Sequence, residues 1–386
     1  MFKLFGDKII WWTCILFFII SMLLVYSSGG SGLFINHVTH LLMGLGLVFI
    51  FSRFNYKYFT NLSTILLGAS ICMLLWLIIN PSAYRGDVLA SRWIRMGFFS
   101  FQPSELAKYS LVLFVSRNLV LHEQKLYLFR YFFSYIILPT IIISALIIQS
   151  NLSTVILIIG IVFFMVFISG YPFRLYLRNL IIPCIIPIFL FFFLLVLPPI
   201  KFVDQTLPRL TTWKNRICAQ EINKIPFSWV DDTNYDPTEN YNNNYQINKA
   251  LGAINRGGVI GKGAGKSYYK RILPDSKSDF IFAILIEEYG LIGGIVVIIL
   301  YLVFYQRVLL LSINSGEKFP RLLLLGLGTI IVLQALLHMS VSVNLIPVTG
   351  QTLPLISKGG SSLWLTSLAF GIVLNISYQI NLENKI

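Results

Sequence analysis

An all-α polytopic membrane protein, with about ten transmembrane helices and one large extracytoplasmic loop between helices seven and eight, is the fold this sequence predicts. Three observations predict it. Of the 386 residues, 56% are hydrophobic and 12% charged, about half the charge that wets a soluble domain. The apolar residues fall in continuous runs of roughly twenty, long enough to cross hydrocarbon as a helix and unlike the alternating segments of a porin-type barrel. The basic surplus, 30 Lys+Arg against 16 Asp+Glu, collects in every second connection between those runs. The same figures exclude intrinsic disorder. A formal net charge of +14 in a lipid-embedded chain points to membrane lipids and cytoplasmic loops, and not to nucleic acid.

Taken in order, the apolar runs place spans at 9–27, 36–53, 62–80, 103–120, 131–149, 152–170, 179–198, 279–306, 323–343 and 363–380. The first is too long for a signal-peptide core, and no small-residue cleavage pattern follows it. With the N-terminus inside, the short inner segments hold Lys3, Lys8, Arg53, Lys57, Arg117, Lys125, Arg130, Arg174, Arg178, Arg307, Lys318, Arg321 and Lys385. The short outer segments hold Arg85, Arg92, Arg95 and Lys358. That asymmetry puts both termini in the cytoplasm. Residues 1–386 then form a single transmembrane domain, with 199–278 as its large outer loop. Long loops are functional or disordered: 231–244 has the composition of a solvated excursion, and 245–278 that of a structured segment. Cys14, Cys72 and Cys184 lie in apolar runs and Cys218 in the loop, a pattern without a disulfide framework. No internal repeat is visible.

Three outer segments concentrate unusual residues. In the first, Ser91-Arg92-Trp93-Ile94 precedes Gln102-Pro103-Ser104-Glu105-Leu106-Ala107-Lys108. Pro103 suits a first helical turn. Glu105 and Lys108, three apart, share a face and can pair, at its simplest as a snorkelling interfacial ion pair, with Trp93 as an interface anchor. The second runs from Leu273-Pro274 through Ser276 and Asp279 to Glu287-Glu288. Ser276 and Asp279 are spaced as a capping box, which competes with a functional role for an acid at the mouth of a membrane cavity. Glu287 lies about 12 Å deeper, and two adjacent acids in a span require buried partners. The third, Pro347-Val348-Thr349-Gly350 through Leu353-Pro354 to Ser357-Lys358-Gly359-Gly360-Ser361-Ser362, has the Pro, Gly and hydroxyl content of a re-entrant loop and offers a nest for an anion. The stretch Gly261–Ser267 ends like a nucleotide P-loop, but Ile260 occupies the position of its first glycine, so nucleotide binding is not expected.

Together these three segments resemble, in order and over nearly the whole chain, the SEDS family, the FtsW/RodA-type peptidoglycan glycosyltransferases. Arg92-Trp93-Ile94 with Gln102–Lys108, Leu273-Pro274 with Asp279-Phe280-Ile281-Phe282-Ala283 and Glu287-Glu288, and Pro347–Gly350 with Ser357–Ser362 are similar to that family's motifs. Lys277 stands where a histidine is common, Ile286 where a small residue is common, and Lys358 where tyrosine is common. Gly6-Asp7-Lys8 and Val25-Tyr26-Ser27-Ser28 are closer to the FtsW cell-division branch than to the elongation branch.

The resemblance implies polymerisation of lipid II on the outer membrane face, with undecaprenyl pyrophosphate leaving. Asp279 is then the catalytic carboxylate. It would serve as base or orienting group for the attacking hydroxyl or, because the positive end of a helix weakens a carboxylate as a base, as ligand to a divalent cation (Mg or Mn) beside the diphosphate. The expected cleft and substrate-binding residues are Arg92, Trp93, Glu105, Lys108, Arg216, Gln246, Lys262, Lys266, Glu287, Thr349, Ser357 and Ser361. Implied partners are a class B penicillin-binding protein (a transpeptidase) and divisome proteins. A lipid II flippase and a non-catalytic scaffold for a transpeptidase are the alternatives that topology and intramembrane acids also accommodate.

Overall fold

The computed structural model describes residues 5–79, 92–96, 99–148, 150–183 and 243–383. Arg216, most of the expected span 179–198, and residues 199–242 of the expected outer loop lie outside the described residues. The elements are α1 (Lys8–Arg53), α2 (Lys57–Ile79), a short antiparallel pair β1 (Ile94–Met96) and β2 (Phe99–Phe101), α3 (Pro103–Leu121), α4 (Phe129–Ile148), α5 (Leu152–Ile168), α6 (Asn243–Gly257), α7 (Ile281–Ile313), α8 (Lys318–Ser342) and α9 (Gly360–Glu383). Helix α4 carries a π-helical stretch over Phe133–Ile137.

Seven helical segments among the described residues are long and apolar enough to cross a membrane: Lys8–Ser27, Gly32–Arg53, Lys57–Ile79, Phe129–Ile148, Ile281–Ile313, Lys318–Ser342 and Gly360–Leu382. The first two belong to α1, which folds back on itself. On a straight helix Ser21 and His37 would stand about 24 Å apart, yet the Ser21 hydroxyl and His37 Nε2 are hydrogen-bonded at 2.8 Å. The expected spans 103–120 and 152–170 correspond to α3 and α5. Helix α3 carries charge that lowers its hydropathy, and α5 has 17 residues. Helices α2 and α8 begin about five residues before the expected spans, because helical bonding continues through the charged turns that an apolar window excludes.

Two poles result. At one, the Asp7 carboxylate accepts from Ile9 N and Ile10 N, capping α1, and pairs with Arg307 of α7 at 2.7 Å. Asp7 N donates to Ser377 of α9. Gly6 has φ +92, and a Cβ there would overlap the Leu374 carbonyl oxygen. Tyr56 N donates to Asn375 Oδ1 at the same pole. The other pole gathers the turn of α1, the β pair, the start of α3, α6, the start of α7, the end of α8 and the start of α9.

Near that second pole α7 departs from helical geometry at Gly290 (φ 70, ψ −175). In an unbroken helix the carbonyls of Glu287 and Glu288 would accept from Leu291 and Ile292. Here they accept instead from Lys262 N (3.0 Å) and Gly263 N (2.9 Å), while Leu291 N and Ile292 N donate to Gly258 O and Val259 O. The loop after α6 therefore completes a helix that is broken within an apolar body, where unpaired peptide groups are costly. Glycine is required on both sides of the crossing: a Cβ at Gly257 would overlap the Ile286 carbonyl, and one at Gly290 the Val259 carbonyl. Glu287, 0% exposed, locks the junction by accepting from Tyr268 N (2.8 Å), Tyr269 N (3.2 Å) and the Ser267 hydroxyl. Glu288 accepts from the Ser27 hydroxyl at the α1 turn. Ile247, Ala250 and Ile254, at i, i+3 and i+7, bring α6 onto a core that includes Phe280, Ala283 and Ile284.

Gly290→Ala should destabilise the protein by about 2 kcal/mol or more, since it combines a left-handed backbone with an overlap. The check is the thermal unfolding midpoint in detergent; an unchanged midpoint would contradict the crossing described here.

Candidate active site

The segment 343–359, between α8 and α9, is irregular and, from Val348 onward, largely packed inside the protein. Its backbone is held by polar side chains that would otherwise have no reason to be in an apolar bundle. Gln334 of α8 donates from Nε2 to Thr352 O (2.9 Å), and His338 Nδ1 is hydrogen-bonded to Gln351 O (2.8 Å). Gln351 Nε2 donates to Thr154 Oγ1 of α5 (2.6 Å), and Ser21 donates to Ile356 O (2.8 Å). Leu355, buried, sits at φ 61, a conformation that a branched side chain adopts only where its surroundings over-determine it. Here Ile356 N and Ser357 N both donate to Leu353 O, and Leu353 N donates to Ser357 Oγ.

A second loop, 272–280, docks against the first. Ser357 Oγ donates to Ser278 O (2.7 Å), and Lys358 N donates to Lys277 O (2.9 Å). Asp279 precedes α7, whose N-cap is Phe280 without a side-chain cap. The capping-box expectation does not hold, because Ser276 Oγ donates to Lys270 O instead. The turn is built by backbone: Ser278 N and Asp279 N donate to Asp275 O, and Asp275 itself has φ 51.

Between these loops, the β pair and α1 lies a cavity of about 670 Å³. Its lining includes Asn36, His40, Arg92, Trp93, Gln102, Glu105, Lys270, Asp275, Lys277, Asp279, Thr352, Lys358 and Gly360. A Cβ on Gly350 would lie 2.8 Å from Arg92 Nη1 and 3.4 Å from Asp279 Oδ2, so the absent side chain is what lets these two groups approach the same point. Of the expected catalytic, cleft and substrate-binding residues, Arg92, Trp93, Glu105 and Asp279 line this cavity.

Others are placed elsewhere. Lys108 is 1% exposed and behind the wall, bound to Glu105 at 2.8 Å and to Gln334 Oε1. Glu105 is 3% exposed and also accepts from Ser362 Oγ (3.3 Å). This is a buried ion pair with neutral hydrogen-bond partners, and not the snorkelling interfacial pair that spacing suggested. Glu287 anchors the α6–α7 junction. Ser361 accepts from Gln102 N (3.0 Å), fixing the β pair to α9, and Ser357 ties the two loops together. Thr349 is buried; like Gln246, Lys262 and Lys266, the last two exposed, it is not among the lining residues. His40, from the second limb of α1, enters the lining without a strong sequence signal, and Lys270 lines it too. Lys270 Nζ donates to Ser27 O (2.9 Å) and Gly265 O (2.6 Å), spanning from the α6–α7 loop to the α1 turn. Burial first, and the neighbouring Lys277 charge second, lower the pKa of Lys358.

Chemically, the cavity presents a carboxylate next to a guanidinium, and cations in excess of carboxylates once Glu105 is committed to Lys108. Such a site can orient a hydroxyl against Asp279 and stabilise negative charge developing on a departing phosphate. Among the described residues no three His, Cys, Asp or Glu side chains come together as a metal site. One carboxylate completed by substrate phosphates is a common arrangement for Mg.

Residues 5–382 match the family described as cell cycle protein, FtsW/RodA/SpoVE. The chain is 32% identical over 345 residues to the probable peptidoglycan glycosyltransferase FtsW of Geobacter metallireducens, covering 88% of this chain and 84% of the relative. It is 30% identical over 344 residues to the stage V sporulation protein E of Bacillus subtilis, covering 87% and 85%. In fold it is similar to a chain from a structure entitled "Structural coordination of polymerization and crosslinking by a peptidoglycan synthase complex", at TM-score 0.71 and 22% identity over 97% of this chain and 98% of that one. It is similar too to the rod shape determining protein RodA of Thermus thermophilus, at TM-score 0.65 and 22% identity, covering 96% of each.

Glu105→Gln should lower stability by about 3 kcal/mol, since Lys108 is left charged and buried with only a neutral partner. Adding Lys108→Met should recover most of that loss. Unfolding midpoints in detergent test both, and equal midpoints for all three proteins would show that the pair carries no structural weight.

Proposed function

The chain belongs to the FtsW/RodA/SpoVE family of cell cycle proteins, and from that premise we propose that it is a peptidoglycan glycosyltransferase of the cell-division branch. It polymerises lipid II into glycan strands on the outer face of the cytoplasmic membrane, and undecaprenyl pyrophosphate leaves. The observation that carries this reading is Asp279 at the wall of a cation-rich cavity, within reach of the same point as Arg92, where all three motif-bearing segments meet.

In the proposed reaction the growing glycan on its polyprenyl diphosphate is the donor, and the 4-hydroxyl of an incoming lipid II is the acceptor. Asp279 orients that hydroxyl and takes its proton as oxygen bonds to the anomeric carbon, with inversion. The bond to the diphosphate breaks, and its oxygens depart towards the cavity's cations. Trp93 shapes the cavity, and Glu105 with Lys108 holds its wall rigid. A divalent cation, if the reaction uses one, would have Asp279 as its protein ligand and would supply further charge for the diphosphate.

The proposed topology has ten spans, cytoplasmic termini and the loop 199–278 outside. Lys8, Arg53, Lys57, Arg307 and Lys318 gather at the pole opposite the cavity, which the positive-inside rule assigns to the cytoplasm. The proposed partner is a class B penicillin-binding protein within the division machinery, supported by likeness to a chain of a peptidoglycan synthase complex that coordinates polymerisation and crosslinking.

Asp279→Asn should insert and unfold like the parent but form glycan polymer from purified lipid II at least ~100-fold more slowly, the lower end of what a general base contributes. Polymerisation at the parental rate would end the assignment. Because the assay runs in detergent without a second compartment, polymer formation by the parent also separates an enzyme from a flippase.

A further inference from the structure

Two lysines of the cavity are placed as a pair by the backbone. Lys277 belongs to the loop before α7 and Lys358 to the loop before α9. The Lys358 N to Lys277 O hydrogen bond (2.9 Å) and the Ser357 to Ser278 bond beside it (2.7 Å) fix these residues opposite one another. Both line the cavity that Asp279 lines. Both are partly buried, and burial first and the Lys277 charge second disfavour the charge of Lys358.

Other cations of this region already have work. Lys108 is held by Glu105 and Gln334, and Lys270 Nζ by two backbone carbonyls. Among the described residues, neither the Lys277 nor the Lys358 ammonium forms an ion pair or a side-chain hydrogen bond. Two like charges held together in a half-buried cavity oppose each other until an anion enters between them. An anion with one charge on each of two linked centres suits this arrangement best, and ammonium groups suit phosphate as point charges.

We propose that Lys277 and Lys358 together form the subsite for the diphosphate of a polyprenyl-linked substrate or product. The proposal rests on the glycosyltransferase reading for the identity of the lipid, but not for the existence of the subsite. A diphosphate bridging the two ammonium groups stands in the cavity that Asp279 lines, so the pair fixes the leaving group while the carboxylate acts on the acceptor. The pair binds substrate and does not itself take part in proton transfer. A glycerophospholipid headgroup offers the same phosphate chemistry with a single phosphorus, and the test separates the two.

The test measures binding of undecaprenyl diphosphate, undecaprenyl monophosphate and phosphatidylglycerol to the purified full chain in detergent. It uses the parent, Lys277→Gln, Lys358→Gln, the double variant and Lys358→Arg, each also on an Asp279→Asn background. The expected result is a loss of undecaprenyl diphosphate affinity of at least tenfold in the double variant. The single variants should lose less, Lys358→Arg should retain most of the affinity, and the monophosphate and phosphatidylglycerol should change by less than threefold. The same pattern on the Asp279→Asn background supports the subsite independently of turnover, so a failure of the catalytic assignment would be seen separately. Unchanged diphosphate affinity in the double variant overturns the proposal. So does an equal loss for phosphatidylglycerol, which would make the pair a general headgroup contact. Unfolding midpoints within a degree or two of the parent's establish that the variants are folded; should Lys358→Gln not fold, the tenfold criterion passes to Lys277→Gln.

Discussion

A peptide group that leaves helical geometry inside an apolar bundle must find its hydrogen bond within the protein. The cavity pole is organised around that constraint. Helix α7 breaks at Gly290, and the loop after α6 crosses the break, giving two donors and taking two. The segment 343–359 enters the bundle without regular structure, and Gln334, His338, Ser21 and Ser357 reach its backbone from helices that surround it and from within. Because these partners come from distant parts of the chain, satisfying the backbone also joins α1, α7 and α8 at one place. The walls of the cavity are by-products of that joining.

Charge is distributed by the same logic. Glu105 and Lys108 are expensive to bury singly but tolerable together, with Gln334 and Ser362 taking up remaining donors and acceptors. Their pairing withdraws one carboxylate from the cavity and leaves Asp279 among Arg92, Lys277 and Lys358. Glu287 is withdrawn in the same way by three donors at the α6–α7 junction. Adjacent acids on one helix thus serve structure, while an acid two residues before the same helix remains at a cavity wall.

Much of the scaffold was legible in the sequence. Continuous apolar runs identified the membrane-length helices, and the Pro-Gly-hydroxyl content of 344–362 identified an irregular segment that required protein partners. Helix ends were less legible. The charged first turns of α2 and α8 look like loop in a hydropathy window, although the hydrogen bonds continue through them. Spacing alone also suggested that Ser276 and Asp279 cap α7 and that Glu105 and Lys108 snorkel, and both suggestions treated the helix as if it stood alone in lipid. The buried partners that adjacent acids in a span require are present at Glu287, whereas the cleft position that the family resemblance implied for it is not. The partners that decided otherwise were Lys270 O for Ser276, Gln334 for Lys108 and Tyr268 N for Glu287. Their positions relative to these residues are not encoded in any local spacing.

By itself the sequence determined which stretches must be helices in lipid, which pole carries the basic residues, and which three segments hold chemistry, because apolar length, charge and backbone-breaking residues are properties of a short window. Tertiary structure alone decided which of the many charged groups in those segments are consumed in pairs and which line a common cavity. That outcome depends on contacts between residues up to hundreds of positions apart. Burial then made each such contact decisive, since a charge inside this bundle either finds its partner or faces the hollow.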